Sequence, residues 1–399
     1  MPWDARSRGG VVAIAILGLT LSGAPDAGAA NRGWRDHVDS PRGKVRQLRG
    51  AMLTPNWSVE GSPFAFNEAQ QRTELENVCN MGGNLVRFHV DWSRLEPAGY
   101  DPSYLARMDN VLAWAAACRI RVVLNLIGSP CWAIQATPCR GSTWIFTPPR
   151  PGSFEAIVRF LLTRYTDLYA IEVWNEPNWS FWSGTPAEYA ALVNEAVTGR
   201  NALGSRTKVL AGALLMDGIS YPGAIGYLEA LYQAGMQGHD GISIHPYSAD
   251  CWPGCGAFVD PARPRSPFRV AIKGTHRVML RYGDPGGIYL TEFGFATCPA
   301  LPGCVEEVTA GRWLASSFWV AAGYPYVHGL TAFSMRDFAA PSDLGPHWDL
   351  RSGILRHDLT PKPAYERLRS VLHRLERRRV GRRHRGRGDR KTLRRGGEG

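Results

Sequence analysis

The sequence predicts a single α/β domain built as a (β/α)8 barrel, in which eight parallel strands alternate with eight helices. Two observations predict this fold. Short apolar runs recur along the chain with helix-period segments between them, and regular alternation of this kind indicates a parallel sheet. The runs are also almost continuously apolar, as is typical of strands that are buried on both faces.

The eight predicted strands share apolar, often β-branched compositions and end at polar or helix-breaking residues. They are GAML (50–53), NLVRFHV (84–90), IRVVLNL (120–126), YAIEVWN (169–175), KVLAGALL (208–215), GISIHPY (241–247), GIYLTEF (287–293) and GLTAFSM (329–335). The predicted helices lie at 68–81, 103–118, 153–165, 186–203, 222–236, 268–282, 305–322 and 361–376. Pro186 and Pro361 stand at predicted first turns, where proline is favoured.

A doubly wound open sheet is the alternative for an alternating chain. Such a sheet normally carries a glycine-rich phosphate-binding loop after its first strand. The segment TPNWSVEGSP, which follows the first predicted strand here, is not such a loop. No internal repeat and no linker divides the chain, so we expect the barrel to occupy residues 49–376 as one domain.

Residues 1–30 are predicted to be a secretory signal peptide. Arg6 and Arg8 precede the apolar run VVAIAILGLTLSGA, and small residues follow in DAGAA. The run is too short for a comfortable membrane span, which needs ~20 apolar residues. We expect cleavage near Ala29 or Ala30, an N-terminal extension at 31–48, export from the cell and no membrane span afterwards. An uncleaved membrane anchor is the alternative.

The cysteines agree with export, since an even number in an exported chain suggests disulfides. There are eight, at positions 79, 118, 131, 139, 251, 255, 298 and 304. Three pairs are close in sequence (131 with 139, 251 with 255, 298 with 304), which leaves 79 with 118, although the sequence cannot choose among the possible pairings. A metal site at CWPGC is the rival interpretation. No second pair of ligands stands nearby at zinc spacing, so we expect no metal and no cofactor.

The basic character of the chain is concentrated at its C-terminal end. Residues 377–399 hold eleven lysines or arginines and two acids, and so carry nine of the eleven net positive charges. We expect a solvated, disordered tail behind a monomeric body. The tail could bind an anionic cell-wall polymer. It has no aromatic residues to stack on bases, so nucleic acid is not an expected partner.

Polar residues gather at the C-terminal ends of the predicted strands, where barrels of this kind carry their active sites. They are Arg87 and His89 on strand 2, Asn125 on strand 3, Asn175 and Glu176 on strand 4, His245 and Tyr247 on strand 6, and Glu292 on strand 7. Two of them are glutamates. Glycoside hydrolysis requires a carboxylate pair, one to protonate the leaving oxygen and one to attack the anomeric carbon or activate water.

Two of these segments carry a family resemblance. VWNEPN (173–178) and YLTEFGF (289–295) resemble the acid/base and nucleophile motifs of clan A glycoside hydrolases. VWNEPNWSFW, GGNLVRFHVDWSRLEP and LTPKPAYERL are most similar to family 39 and its family 5-like relatives. The resemblance covers about residues 50–375. It implies a carbohydrate substrate and a retaining mechanism on β-glycosides or similarly disposed sugars.

The resemblance also implies roles for single residues. Glu176 would be the acid/base and Glu292 the nucleophile. Tyr247 would donate a hydrogen bond to the nucleophile, and Arg87 would keep the nucleophile ionised by its positive charge. Asn175 would bind the sugar 2-hydroxyl and His245 would line the same subsite, and we add Asn125 to the residues that bind the substrate. Arg87 could instead simply pair with an acid at the barrel end, and His245 could be a satisfied core histidine.

Aromatic residues complete the predicted site. Trp57, Trp132, Trp179 and Trp182 fall in loops at the catalytic end, and a flat indole stacks on the apolar face of a pyranose. Trp132 is the best stacking candidate, whereas Trp182 is expected to pack its loop against the barrel. Clan members usually carry a tryptophan floor at the tip of strand 8. Here Phe333 either replaces it or the register of that strand is shifted.

Three function classes compete. The sequence favours a secreted retaining glycosidase, and a catalytically silent carbohydrate-binding barrel is the alternative. The intact carboxylate pair argues against loss of catalysis. A metal-dependent hydrolase would need a ligand cluster such as HxH on strand 1, which this sequence lacks.

Overall fold

The computed structural model describes residues 47–54, 67–134, 139, 144–218, 220–248, 258–297, 304–338 and 351–377. The sheet is a closed barrel in which every strand runs parallel to its neighbours, in the order of the chain. Its strands are β1 (Leu48–Met52), β2 (Leu85–Asp91), β3 (Arg121–Ile127), β4 (Ala170–Val173), β5 (Lys208–Leu215), β6 (Gly241–His245), β7 (Gly287–Leu290) and β8 (Val327–Ala332). The predicted fold class is confirmed.

Helices cover the outside of the barrel. They are α1 (Glu68–Asn80), α2 (Trp92–Leu95), α3 (Pro102–Ala117), α4 (Ser153–Arg164), α5 (Pro186–Ala202), α6 (Tyr221–Gln233), α7 (Pro267–Arg281) and α8 (Glu307–Ala321), and residues 363–377 are also helical. The one-turn α2 was not predicted, because four residues show no periodicity. None of the described helices is long and apolar enough to cross a membrane.

Local sequence explains where the helices begin. Thr185 and Glu188 form a reciprocal capping box at the start of α5, and Pro186 occupies its first turn as predicted. The prediction for Pro361 is wrong. Pro361 pairs with Leu355 in an isolated β-bridge, and the last helix starts two residues later, at Pro363.

Several strands end earlier than the sequence indicates. β4 stops at Val173, β7 at Leu290 and β8 at Ala332, so Glu176, Glu292 and Phe333 all lie just beyond the strands. The carboxyl end of a barrel strand is where function is usually placed. Short strands therefore deliver these side chains to the rim.

Two disulfides brace this frame. Cys79–Cys118 joins the end of α1 to the end of α3, and Cys131–Cys139 closes the loop after β3. Both pairings are those suggested by the sequence. The described residues do not include Cys251, Cys255, Cys298, Trp57, residues 1–46 or the tail beyond 377. The signal peptide, the remaining disulfide pairings and the disordered tail therefore stay predictions.

Candidate active site

The strand that carries the predicted acid gives way to a tight turn. Trp174 (φ 64°) and Glu176 (φ 43°) both adopt left-handed backbone conformations. Such conformations are unfavourable for residues other than glycine and persist where surrounding contacts impose them. The backbone N–H of Trp174 donates to the Leu126 carbonyl of β3 at 2.9 Å, and that of Glu176 donates to the Ala213 carbonyl of β5 at 3.1 Å. Both neighbouring strands therefore hold the turn.

The Ala213 carbonyl reaches Glu176 because β5 is irregular at this point. The register of β5 against β6 shifts here, and Gly212 (φ 117°) and Ala213 (φ 47°) are left-handed. A side chain at position 212 would not fit, since its Cβ would lie 2.4 Å from the Ser243 carbonyl oxygen. Bulges re-aim backbone groups beside active sites. This one supplies the acceptor that fixes the Glu176 amide.

Asn125, predicted as a substrate contact, supports the same turn from inside the barrel. It is fully buried, and its side-chain amide donates to the Trp174 carbonyl at 2.6 Å. It stands opposite His89 in the register of β2 against β3, and burial and the charge of Arg87 lower the pKa of His89 to about 3. The structure therefore gives Asn125 a positioning role, and its predicted contact with the sugar stays a prediction.

One fully buried guanidinium, that of Arg87, connects three polar residues. Its Nε donates to Glu172 Oε2 at 2.6 Å, its Nη2 donates to Asn175 Oδ1 at 2.7 Å, and its Nη1 donates to Glu292 Oε1. The planar fork of arginine fixes its partners relative to one another. Arg87 thus contacts the nucleophile candidate and the residue predicted to bind the sugar, while its own side chain stays out of the open mouth.

Glu172 also belongs to this network and was not predicted from the sequence. This residue is fully buried in β4, opposite Asn125 of β3 in the strand register. β2 and β4 are not neighbours, so its ion pair with Arg87 crosses the barrel interior. A signal existed, because a charge within an apolar strand needs a buried partner. The sequence alone does not tell which distant strand supplies that partner.

Glu292 lies just beyond β7 and is 7% exposed. Its Oε2 accepts a hydrogen bond from the Tyr247 hydroxyl at 2.8 Å. Burial raises the pKa of Glu292, and the charge of Glu172 adds to this, whereas Arg87 and the Tyr247 hydrogen bond lower it. The net direction is upward. The predicted stabilisation of the ionised form is therefore present, but burial outweighs it.

His245, the last residue of β6, stands between the two carboxylates. Its Nδ1 is 2.7 Å from Glu176 Oε1 and 3.6 Å from Glu292 Oε2. Burial and the charge of Arg87 lower the pKa of His245 well below its usual value, so the ring is neutral and its contact with Glu176 is a hydrogen bond between side chains.

The two predicted catalytic carboxylates are brought together at one point. One carboxylate oxygen of Glu176, one of Glu292 and one ring nitrogen of His245 all lie within 4.8 Å of one another. Among the described residues, these three side chains also form the group of acids and histidines that lie close enough together to hold a metal ion. Two carboxylates against one neutral imidazole also suit acid/base chemistry, which needs no ion.

Phe333 packs against Tyr247, which contacts Glu292. It follows β8 directly, and its ring stands nearly perpendicular to that of Tyr247, at 84° and 6.3 Å between centroids. Gly294 allows the close approach, since a Cβ there would lie 2.1 Å from the Phe333 carbonyl oxygen. Phe333 thus occupies the tip of strand 8, and its replacement of the tryptophan floor stays a prediction. Phe333 belongs to a small buried cluster that comprises Met52, Leu215, Tyr247, Phe333 and Phe338.

Trp132 and Trp182 differ as predicted in their exposure. Trp182 is 6% exposed and packs edge-on against Trp174 at 5.0 Å, which confirms its packing role. Trp132 is 42% exposed. Its indole N–H donates to the Glu96 carbonyl at 2.8 Å, and its ring stands edge-on to Trp92 at 5.8 Å. The position of Trp132 is therefore fixed while part of its surface stays open; its stacking role stays a prediction.

Comparison with known proteins identifies the family. Residues 42–249, just over half of the chain, match the family model described as Cellulase (glycosyl hydrolase family 5). No curated protein matches the chain.

Several solved structures share the fold. An exo-beta-1,4-mannosidase from Opitutaceae bacterium strain TAV5 is 17% identical, with a TM-score of 0.60 over 84% of this chain and 60% of that chain. GH5_18 from Streptomyces cattleya, in complex with GlcNAc, is 17% identical, with a TM-score of 0.59 over 84% and 81%. A family 39 glycoside hydrolase from Bacteroides cellulosilyticus WH2 is 16% identical, with a TM-score of 0.55 over 81% and 63%.

At these identities the structural likeness shows the fold alone, and the match spans only about 60% of the length of the mannosidase. The family match covers the segment that contains Glu176, and the barrel brings Glu292 to it. The chain therefore belongs to glycosyl hydrolase family 5.

Proposed function

We propose that this protein is a secreted, retaining β-glycosidase in which Glu292 is the nucleophile and Glu176 the acid/base. The separation of the two carboxylates carries the proposal, since one oxygen of each lies within 4.8 Å of the other. Retaining enzymes hold their carboxyl groups about 5–5.5 Å apart, whereas inverting enzymes leave about 6.5–9.5 Å for a water molecule. The observed spacing supports direct attack by a carboxylate.

In the first step an oxygen of Glu292 attacks the anomeric carbon as the bond from that carbon to the leaving oxygen breaks. Glu176 transfers its proton to the leaving oxygen. Arg87 and Tyr247 hold the two oxygens of Glu292 from different sides, which fixes the direction of attack. Asn175 is held by the same guanidinium, and we assign it to the 2-hydroxyl of the sugar.

In the second step water attacks the anomeric carbon and the bond to Glu292 breaks. Glu176, now ionised, accepts a proton from that water. His245 hydrogen-bonds to Glu176 Oε1 and keeps this carboxyl group oriented for both steps.

The proposed substrate is a β-linked di- or oligosaccharide. The exo-beta-1,4-mannosidase among the similar structures supports a β-1,4 bond. Secretion is supported by the apolar segment at 11–24 and by the disulfides. N-terminal sequencing of protein recovered from the culture medium tests secretion, and a start near residue 30 or 31 is the expected result.

Azide rescue tests the two roles separately. Glu176→Ala should still release an activated aryl group in the first step, because a good leaving group needs little protonation. Added azide needs no general base, so it should restore the second step and give the β-glycosyl azide. Glu292→Ala should form no covalent intermediate, and azide should give the inverted α-product. The proposal is wrong if the two variants give the same azide anomer, and a wild-type protein that binds sugars without turnover would support the silent binding barrel.

A further inference from the structure

Two tryptophans, Trp132 and Trp179, are the exposed indoles among the described residues, at 42% and 44%. They lie in the loops after β3 and β4, so both are at the catalytic end of the barrel. Leaving an indole in water forgoes the free energy of burying it, and exposed aromatic rings are enriched where a ligand covers them. Trp132 is the preferred stacking candidate from the sequence, and Trp179 has not yet been assigned to a subsite.

The turn that carries Trp179 is held on both sides. The side chain of Asn178 exchanges two hydrogen bonds with the backbone of Leu215, each 3.0 Å long. The buried indole of Trp174 donates to the Phe181 carbonyl. The backbone of Trp179 is therefore anchored before and after the residue. An aromatic ring on a fixed turn loses little conformational entropy when a ligand binds it.

The position of Trp179 relative to Glu176 indicates which part of the substrate it meets. Trp179 follows Glu176 by three residues, and its backbone N–H donates to the Glu176 carbonyl at 2.8 Å. An acid that protonates the leaving oxygen borders the leaving group, whereas the nucleophile approaches the opposite side of the cleaved bond. The turn of Glu176 therefore flanks the leaving group.

We infer that Trp179 is the stacking platform of the leaving-group subsite and that the leaving group is itself a pyranose. This inference rests on the proposed function, since it takes the leaving-group side from the role of Glu176. A flat indole suits the apolar face of a sugar ring. The cleaved bond then joins two sugars, and a sugar attached to a small acyclic alcohol is a poorer substrate.

Two substrates with the same glycone separate leaving-group binding from chemistry. The panel pairs cellobiose, mannobiose and xylobiose with the corresponding β-glycosyl fluorides, because fluoride has no ring to stack and needs little protonation. Trp179→Ala should lower kcat/KM on the hydrolysed disaccharide on the order of 10- to 100-fold. The loss on the matching fluoride should be ~10-fold smaller. Trp179→Phe should recover part of the activity on the disaccharide.

Leu280→Ala is the matched control, because Leu280 is 63% exposed at the end of α7, on the opposite end of the barrel. It should change neither rate. Equal losses on both substrates, or no loss on either, would overturn the role of Trp179. A wild-type protein that hydrolyses the fluorides but none of the disaccharides would leave the proposed mechanism standing and contradict the sugar leaving group. Failure on every substrate would remove the proposed function and this inference with it.

Discussion

The barrel interior changes its chemistry between its two ends. Near the N-terminal ends of the strands the interior is an apolar cluster of Leu48, Leu85, Val123, Tyr169, Ala170, Leu210 and Tyr289. Two positions further along three of these strands stand Arg87, Asn125 and Glu172, all fully buried. Side chains two residues apart in a strand share a face. Both layers are therefore buried, and they differ in the residues they contain.

This difference indicates that the two layers contribute differently to the stability of the fold and to catalysis. The apolar layer contributes free energy of burial. A buried ion pair contributes little net stability, because desolvation offsets most of the attraction. The upper layer instead fixes geometry, since the fork of Arg87 holds Glu292 and Asn175 at once.

The largest expected effect comes from breaking the upper layer. Arg87→Met leaves Glu172 and Glu292 buried without their cation, so we expect a loss of about 3–5 kcal/mol in unfolding free energy. We also expect kcat/KM to fall by about 10³-fold or more, because the nucleophile and Asn175 lose their common support. Urea unfolding and steady-state kinetics check the two effects.

The double variant Arg87→Met, Glu172→Gln is the control. Removing the second orphaned charge should restore part of the stability and little of the activity. Full recovery of activity in the double variant would mean that the guanidinium does not orient the site.

A substitution in the apolar layer should separate stability from activity. Leu210→Ala leaves a cavity in a fully buried cluster, so we expect a loss of about 2–5 kcal/mol in unfolding free energy. The kcat/KM of the folded fraction should stay near that of the wild type. If activity falls as far as in the Arg87 variant, the two layers are not functionally distinct.

The two disulfides allow the same comparison outside the barrel. The double variant Cys79→Ser, Cys118→Ser removes a bond between residues 39 apart on two outer helices. The chain-entropy model gives a loss of ~4 kcal/mol in unfolding free energy, and we expect no change in KM. Cys131→Ser, Cys139→Ser opens a link between residues 8 apart beside Trp132, with a smaller loss of ~2.5 kcal/mol. We expect KM to rise only in the second variant. Thermal unfolding and substrate titration measure both.

The smallest expected effect is a shift in the pH profile. The negative charge of Glu172 raises the pKa of Glu292 and engages part of the Arg87 guanidinium. Glu172→Gln removes that charge, so the pKa of Glu292 should fall. Because Glu292 acts as an anion, the acid limb of kcat/KM should move to lower pH. An acid limb that stays in place or moves upward would show that Glu172 does not act on the nucleophile.

Most of the barrel could be predicted from the sequence, but only part of the site could. Alternation and apolar runs sufficed for eight strands, because burial on both faces dictates composition locally. The ends of β4 and β7 could not be predicted from the sequence. At the end of β4, for example, the turn at Trp174 depends on hydrogen-bond acceptors from neighbouring strands. The pairing of Arg87 with Glu172 depends on barrel closure, which joins residues 85 positions apart in the chain. Contacts of this kind have no local signature.

The central claim is that Glu292, held by the buried polar layer, forms the covalent bond to the sugar. The direct test is inactivation with the 2-deoxy-2-fluoro-β-glycosyl fluoride of whichever sugar the wild-type protein hydrolyses, followed by peptide mapping with mass spectrometry. The electron-withdrawing fluorine at C2 slows both steps, and the fluoride leaving group keeps the first step fast, so the glycosyl-enzyme should accumulate. We predict a glycosyl label on the peptide that contains Glu292, at one label per chain. A label on Glu176, or hydrolysis with inversion and no label, would contradict the account.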